Sequence, residues 1–103
     1  MDKVYRLRYL PLFEKDLAAA RDYIALTLQN PTAALRLVDE TGTAILKRLG
    51  NPVGFSPYHS VRDRDHPYYR ITVKNYMVFY VVIDDVMEVR RFVYSRRNLT
   101  DIV

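Results

Sequence analysis

The run Tyr76–Ile83, YMVFYVVI, constrains this chain more than any other stretch. It carries no charge and is rich in β-branched and aromatic side chains, so it reads as a strand buried on both faces. Asp84-Asp85 follows as a two-residue turn, without the Asn-Gly or Asp-Gly that such turns prefer. Residues 86–94, VMEVRRFVY, then pair back antiparallel. Residues 69–74 ahead of the run alternate: Tyr69, Ile71 and Val73 inward, Arg70, Thr72 and Lys74 outward. Lys74-Asn75 turns the chain into the central strand. On the last strand Met87, Val89, Arg91 and Val93 are the more aliphatic set and are assigned to the covered face. That choice leaves Arg90, Phe92 and Tyr94 beside Arg70.

The earlier part of the chain reads as cover for this hairpin. Residues 4–10, VYRLRYL, alternate, with Arg6 and Arg8 on one face of a half-buried strand near a sheet edge. Pro11 ends that strand and opens a helix. In residues 12–29 Phe13, Leu17, Ala20, Ile24 and Leu28 make one helical stripe. Asn30-Pro31 stops this helix and starts another, with Asn as cap and Pro in the first turn. Ala34, Leu37, Val38, Thr41, Ile45 and Leu49 continue at helical spacing, and Gly42 among them predicts close helix contact. Gly50, Asn51 and Pro52 end it. Residues 50–67 form a connector with the charged run Arg62-Asp63-Arg64-Asp65.

The expected fold is α+β, in the order β-α-α-β-β-β. A helical hairpin packs on one face of a mainly antiparallel four-stranded sheet. The opposite face is expected to be open, with guanidinium groups gathered on it.

With 103 residues the chain is expected to be one domain, and 50% hydrophobic residues supply a core. The absence of Cys excludes disulfides and thiol catalysis. No secretory leader or membrane span is expected, and the expected compartment is the cytoplasm. The net charge of +4 permits an anionic partner. Residues 89–100 hold Arg90, Arg91, Arg96 and Arg97 and no acid. One of Arg90 and Arg91 is available to pair with a helix acid such as Asp16 or Asp22. His59 and His66 lie seven apart with no carboxylate or Cys pattern resembling a metal site, so neither a metal nor a cofactor is expected.

Four pieces, spread over nearly the whole chain, carry a resemblance. They are Asp16-Leu17 with Asp22-Tyr23-Ile24-Ala25, Asn30-Pro31 with Ala33-Ala34, Leu49 with Pro52, and the core Tyr69 to Tyr80. An acidic turn and a strand ending Tyr94-Ser95-Arg96-Arg97 complete the last of them. In this order they resemble the RelE/ParE toxins of bacterial type II toxin–antitoxin modules. The resemblance implies a growth-inhibiting toxin neutralised by a cognate antitoxin. RelE-like members cut mRNA on the ribosome, using Arg or Lys and often Tyr, Glu or His. ParE-like members inhibit DNA gyrase and have no known hydrolytic site.

Met77 stands where the ribonucleases carry Arg, and it can neither pair with phosphate nor carry charge. The C-terminal Tyr of several ribonucleases is absent as well, so the ParE-like branch is favoured. The alternatives are a ribosome-dependent endoribonuclease, and a degenerate member that only binds antitoxin. For the endoribonuclease, the resemblance points to Arg70, Arg90, Arg96, Arg97 and Tyr94 as catalytic. Such a site must align the 2′-hydroxyl, neutralise charge and move protons. Lys74, Arg62, Arg64, His66 and Tyr69 are the candidates for contacting nucleic acid or another target.

Overall fold

Alternation, turns and caps set the element order in the computed structural model, which describes residues 3–58 and 66–96. The elements are β1 (Arg6–Tyr9), α1 (Pro11–Asp22), a π-helical turn (Tyr23–Thr27), α2 (Pro31–Arg48), β2 (Tyr69–Val73), β3 (Tyr76–Ile83) and β4 (Val86–Tyr94). The sheet order is β1-β4-β3-β2. β2 with β3 and β3 with β4 are antiparallel, while β1 joins β4 in parallel. No helix among the described residues is long and apolar enough to cross a membrane.

Pro11 and Pro31 occupy the first turns of α1 and α2, where a missing N–H costs nothing. The Asn30 side chain accepts from the Ala33 N–H at 3.1 Å, capping α2 as its sequence requires. Ala34, Leu37, Thr41 and Ile45 are the buried stripe of α2. The Thr41 hydroxyl is satisfied by donating to the Leu37 carbonyl at 2.7 Å.

The first helix differs from the expected rod. It leaves α geometry after Asp22, and the Leu28 N–H reaches back to the Tyr23 carbonyl at 3.1 Å. A π turn takes up extra residues, so the stripe that holds through Ile24 loses Leu28, which is exposed. Gly42 also departs from expectation: a methyl group placed there would meet nothing within 4 Å.

Both hairpins turn on two residues, pairing Val73 with Tyr76 and Ile83 with Val86. Lys74 and Asp84, the first residue of each turn, lie in the left-handed region at φ 53° and 56°. On the helix side the core gathers Phe13, Leu37, Ile45, Ile71, Val78, Tyr80, Met87, Val89 and Phe92.

A second apolar cluster fills the opposite side of the sheet, from Tyr68, Met77, Phe79, Val81 and Val93. Phe79 and Val81 are fully buried there. The rings of Tyr58 and Tyr68 stand edge-on to Phe79, at 5.3 and 6.1 Å. The expectation of an open face opposite the helices is corrected by this cluster: the face has an apolar centre with charge around it.

The phase of β4 is corrected too. The register runs Tyr80 to Val89 and then Phe79 to Arg91, so Arg90 is an extra residue, a β-bulge. One inserted residue reverses the faces of everything beyond it. Phe92 and Tyr94 therefore turn toward the helices, meeting Tyr76 at 4.8 and 5.5 Å. Val93 turns the other way and joins Met77.

Candidate functional site

The side of the sheet away from the helices carries the described charge cluster, and Glu88 sits at its centre. Glu88 is 6% exposed. Parallel pairing sets Arg8 of β1 directly across from it. Arg8 donates to Glu88 Oε1 through Nε at 2.9 Å, with Nη2 at 2.7 Å. Arg90 donates to Oε2 through Nε at 2.8 Å. Burial works against the Glu88 charge, yet the two guanidiniums outweigh it and hold its carboxyl below the ordinary value. Burial likewise opposes the Arg90 charge, and its bonds to Tyr68 and Glu88 overcome that and raise its pKa. The Arg90 guanidinium also lies 5.8 Å from the centre of the Tyr68 ring.

Arg70 projects from β2 as an exposed side chain, 5.3 Å from the centre of the Tyr58 ring. Its carbonyl accepts from Arg48 Nη1 at 3.1 Å. The same Arg48 nitrogen donates to the Tyr80 hydroxyl at 3.0 Å, and the guanidinium lies 3.6 Å from the Phe55 ring centre. Tyr80 in turn donates to the Pro52 carbonyl at 2.7 Å, fastening the connector to the sheet.

Among the described residues, those singled out in sequence do not converge on one site. Arg70 and Arg90 share this side, but Arg90 is engaged with Glu88 and Tyr68. Tyr94 lies on the helix side, put there by the bulge. Lys74 is in a turn and pairs with Glu40 of α2 at 3.5 Å, so its outward assignment is corrected. Tyr69 is buried, stacked on Tyr80 at 5.3 Å, and its ring is not presented to a ligand. His66 and Arg96 are exposed. Arg62, Arg64 and Arg97 lie outside the described residues. The expected pairing of one central arginine with a helix acid is Arg91 with Asp16, at 2.8 Å.

Sequence reasoning missed Arg8, Glu88, Arg48, Phe55 and Tyr58. Arg8 was visible as one face of an alternating strand, but its neighbour depended on a parallel pairing between residues 80 apart in the chain. No local signal encodes that pairing.

A family model described as ParE toxin of type II toxin-antitoxin system, parDE, matches residues 7–99. A chain of the chromosomal ParDE TA system from P. aeruginosa is similar in structure, with TM-score 0.65 and 17% identity. The match covers 88% of this chain and 96% of that one. A chain of the archaeal RelE-RelB complex from Pyrococcus horikoshii OT3 is similar with TM-score 0.51 and 18% identity, covering 92% and 99%. At these identities the structural likeness is one of fold. No curated protein matches the chain.

Proposed function

Because this chain belongs to the ParE toxin family of type II toxin–antitoxin systems, we propose that it is a growth-inhibiting toxin that acts by binding its target. In this reading the target is DNA gyrase, as for the ParE branch, and a cognate antitoxin protein holds the toxin inactive. The titles of both structural neighbours name toxin–antitoxin assemblies, which supports the antitoxin partner.

The observation that carries the choice of branch is Met77. It is buried with Phe79 and Val93 in the apolar cluster on the side of the sheet where a ribonuclease would need convergent cations. An apolar centre cannot stabilise a developing phosphorane charge. On β4, Arg90 is already held by a carboxylate, Arg91 pairs with Asp16, and Tyr94 is on the other side of the sheet.

Expression of the chain in bacteria tests this reading. Growth is expected to stop with mRNA intact by primer extension and a DNA-damage response induced. The purified chain is expected to inhibit supercoiling by gyrase. Codon-phased mRNA cuts, relieved by Arg70→Ala, Arg90→Ala or Arg97→Ala, would establish the endoribonuclease instead. Normal growth with soluble protein present would leave a member that only binds antitoxin.

A further inference from the structure

One half-buried arginine lacks the partner that its charge calls for. Among the described residues the half-buried arginines are Arg48, Arg90 and Arg91. Arg90 pairs with Glu88, and Arg91 with Asp16. Arg48 makes no ion pair with any described residue. Its hydrogen bonds go to neutral oxygens, the Arg70 carbonyl and the Tyr80 hydroxyl. A guanidinium drawn out of water is ordinarily balanced by an acid. The end of α2 favours cations through its dipole, which accounts for the charge of Lys47 and Arg48. It does not account for an Arg48 head group that turns to the sheet and sits over a ring.

That head group is fixed in place with one edge left over. Both bonds come from Nη1, which has two hydrogens, so that nitrogen is fully used. No bond among the described residues uses Nε or Nη2. Those two nitrogens form an edge that grips a carboxylate or phosphate through two parallel bonds. The guanidinium lies 3.6 Å from the Phe55 ring centre, a contact that helps to hold it. A head group already fixed by the protein loses little freedom when an anion binds.

A cleft of about 220 Å³ lies beside this edge, lined by Ala44, Lys47, Arg48, Phe55 and Ile71. Ala44 and Ile71 supply apolar surface, and Phe55, 51% exposed, supplies a flat wall. Lys47 is exposed and likewise makes no ion pair with a described residue. Among the described residues no acid lines the cleft. The space suits a single ring, since an apolar cavity of roughly 150 Å³ accepts benzene. It is too small for a peptide segment or a run of nucleotides.

We propose that this cleft binds a small aromatic oxyanion, a flat ring carrying one carboxylate or phosphate. The anion meets the Nε–Nη2 edge of Arg48 and the Lys47 ammonium. The ring lies against Phe55, Ala44 and Ile71. Ile71 belongs to the helix-side core, whereas the Arg70 side chain goes to Tyr58 on the other side of the sheet. The cleft is therefore separate from the charged cluster around Glu88, and the proposal does not depend on the toxin's target.

The test titrates the full chain with phenyl phosphate and with benzoate, read by amide chemical shifts. Saturable shifts are expected at Ala44, Arg48 and Ile71, with a dissociation constant of about 0.1–1 mM for a ligand of this size. Inorganic phosphate and benzyl alcohol each carry half of the ligand and are expected to bind at least about tenfold more weakly. Tighter binding of phenyl phosphate supports the site with a phosphate ester as its ligand, and tighter binding of benzoate supports it with a carboxylate. Lys47→Glu is expected to weaken binding about tenfold with thermal unfolding unchanged. Arg48→Lys keeps the charge but loses the two-pronged edge, and is expected to weaken binding by a similar factor. If that variant also loosens the connector, Lys47→Glu decides alone. Unchanged affinity in Lys47→Glu overturns the proposal, as does equal binding of benzyl alcohol or inorganic phosphate. Shifts gathered around Arg8 and Arg70 instead of the cleft would overturn it too.

Discussion

Asp16 shows how one carboxylate can finish a sheet. It accepts from Arg91 Nε at 2.8 Å and from the Phe92 N–H at 3.0 Å, so α1 supplies the acceptor that β1 is too short to provide. Asp16→Ala strands both donors and is expected to cost about 2 kcal/mol in urea unfolding. Asp22→Ala, which breaks only the exposed pair with Arg21, is expected to cost about 0.5 kcal/mol or less. Glu88 gives a pH signature. Its carboxyl is held below the ordinary value of 4.5, so its contribution is complete above that value and is lost as pH falls through the lower folded value. Glu88→Gln is expected to flatten the acid limb of stability against pH, measured as urea midpoints. The sequence announced the acid partner of a central arginine because Asp16 and Asp22 were the helix acids within reach. It did not announce Glu88, whose two partners come from a distant strand and from a bulge.

The helices and turns were the most legible elements, since each is written in local chemistry. Asn30-Pro31 marked a cap and a first turn, and the stripe of α2 was complete. The π turn escaped because it obeys the same spacing as an α-helix up to Ile24 and departs only at Leu28. The bulge escaped because Arg90 and Arg91 continue a plausible alternation, and inserting one residue leaves no trace in composition. Gly42 was visible, but its reason was misjudged. It faces open space, so Gly42→Ala is expected to raise stability by about 1 kcal/mol in thermal or urea unfolding. Asp84→Gly is expected to gain about 0.5–1 kcal/mol by relieving a left-handed φ of 56° in a residue with a Cβ, with the hairpin register unchanged in amide spectra.

At the level of the whole molecule, β3 belongs to two cores at once. Its even-numbered residues Tyr76, Val78, Tyr80 and Val82 face the helices, and its odd-numbered residues Met77, Phe79 and Val81 face the second cluster. An uncharged run of eight residues already implied burial on both faces, and an open face opposite the helices conflicted with that reading of the same strand. Phe79→Ala and Phe13→Ala, one in each cluster, are expected to cost about 3–5 kcal/mol each. Both should move a single unfolding transition, seen alike by far-ultraviolet dichroism and tyrosine fluorescence, because neither layer has a strand of its own to survive on. The parallel seam between β1 and β4 carries a further consequence. Residues 6–9 wait for residues 86–89, so the first strand made has no neighbour until the last has been made. A sheet assembled this way is complete only once β4 has been made, and a product cut short before β4 leaves β1 without a neighbour.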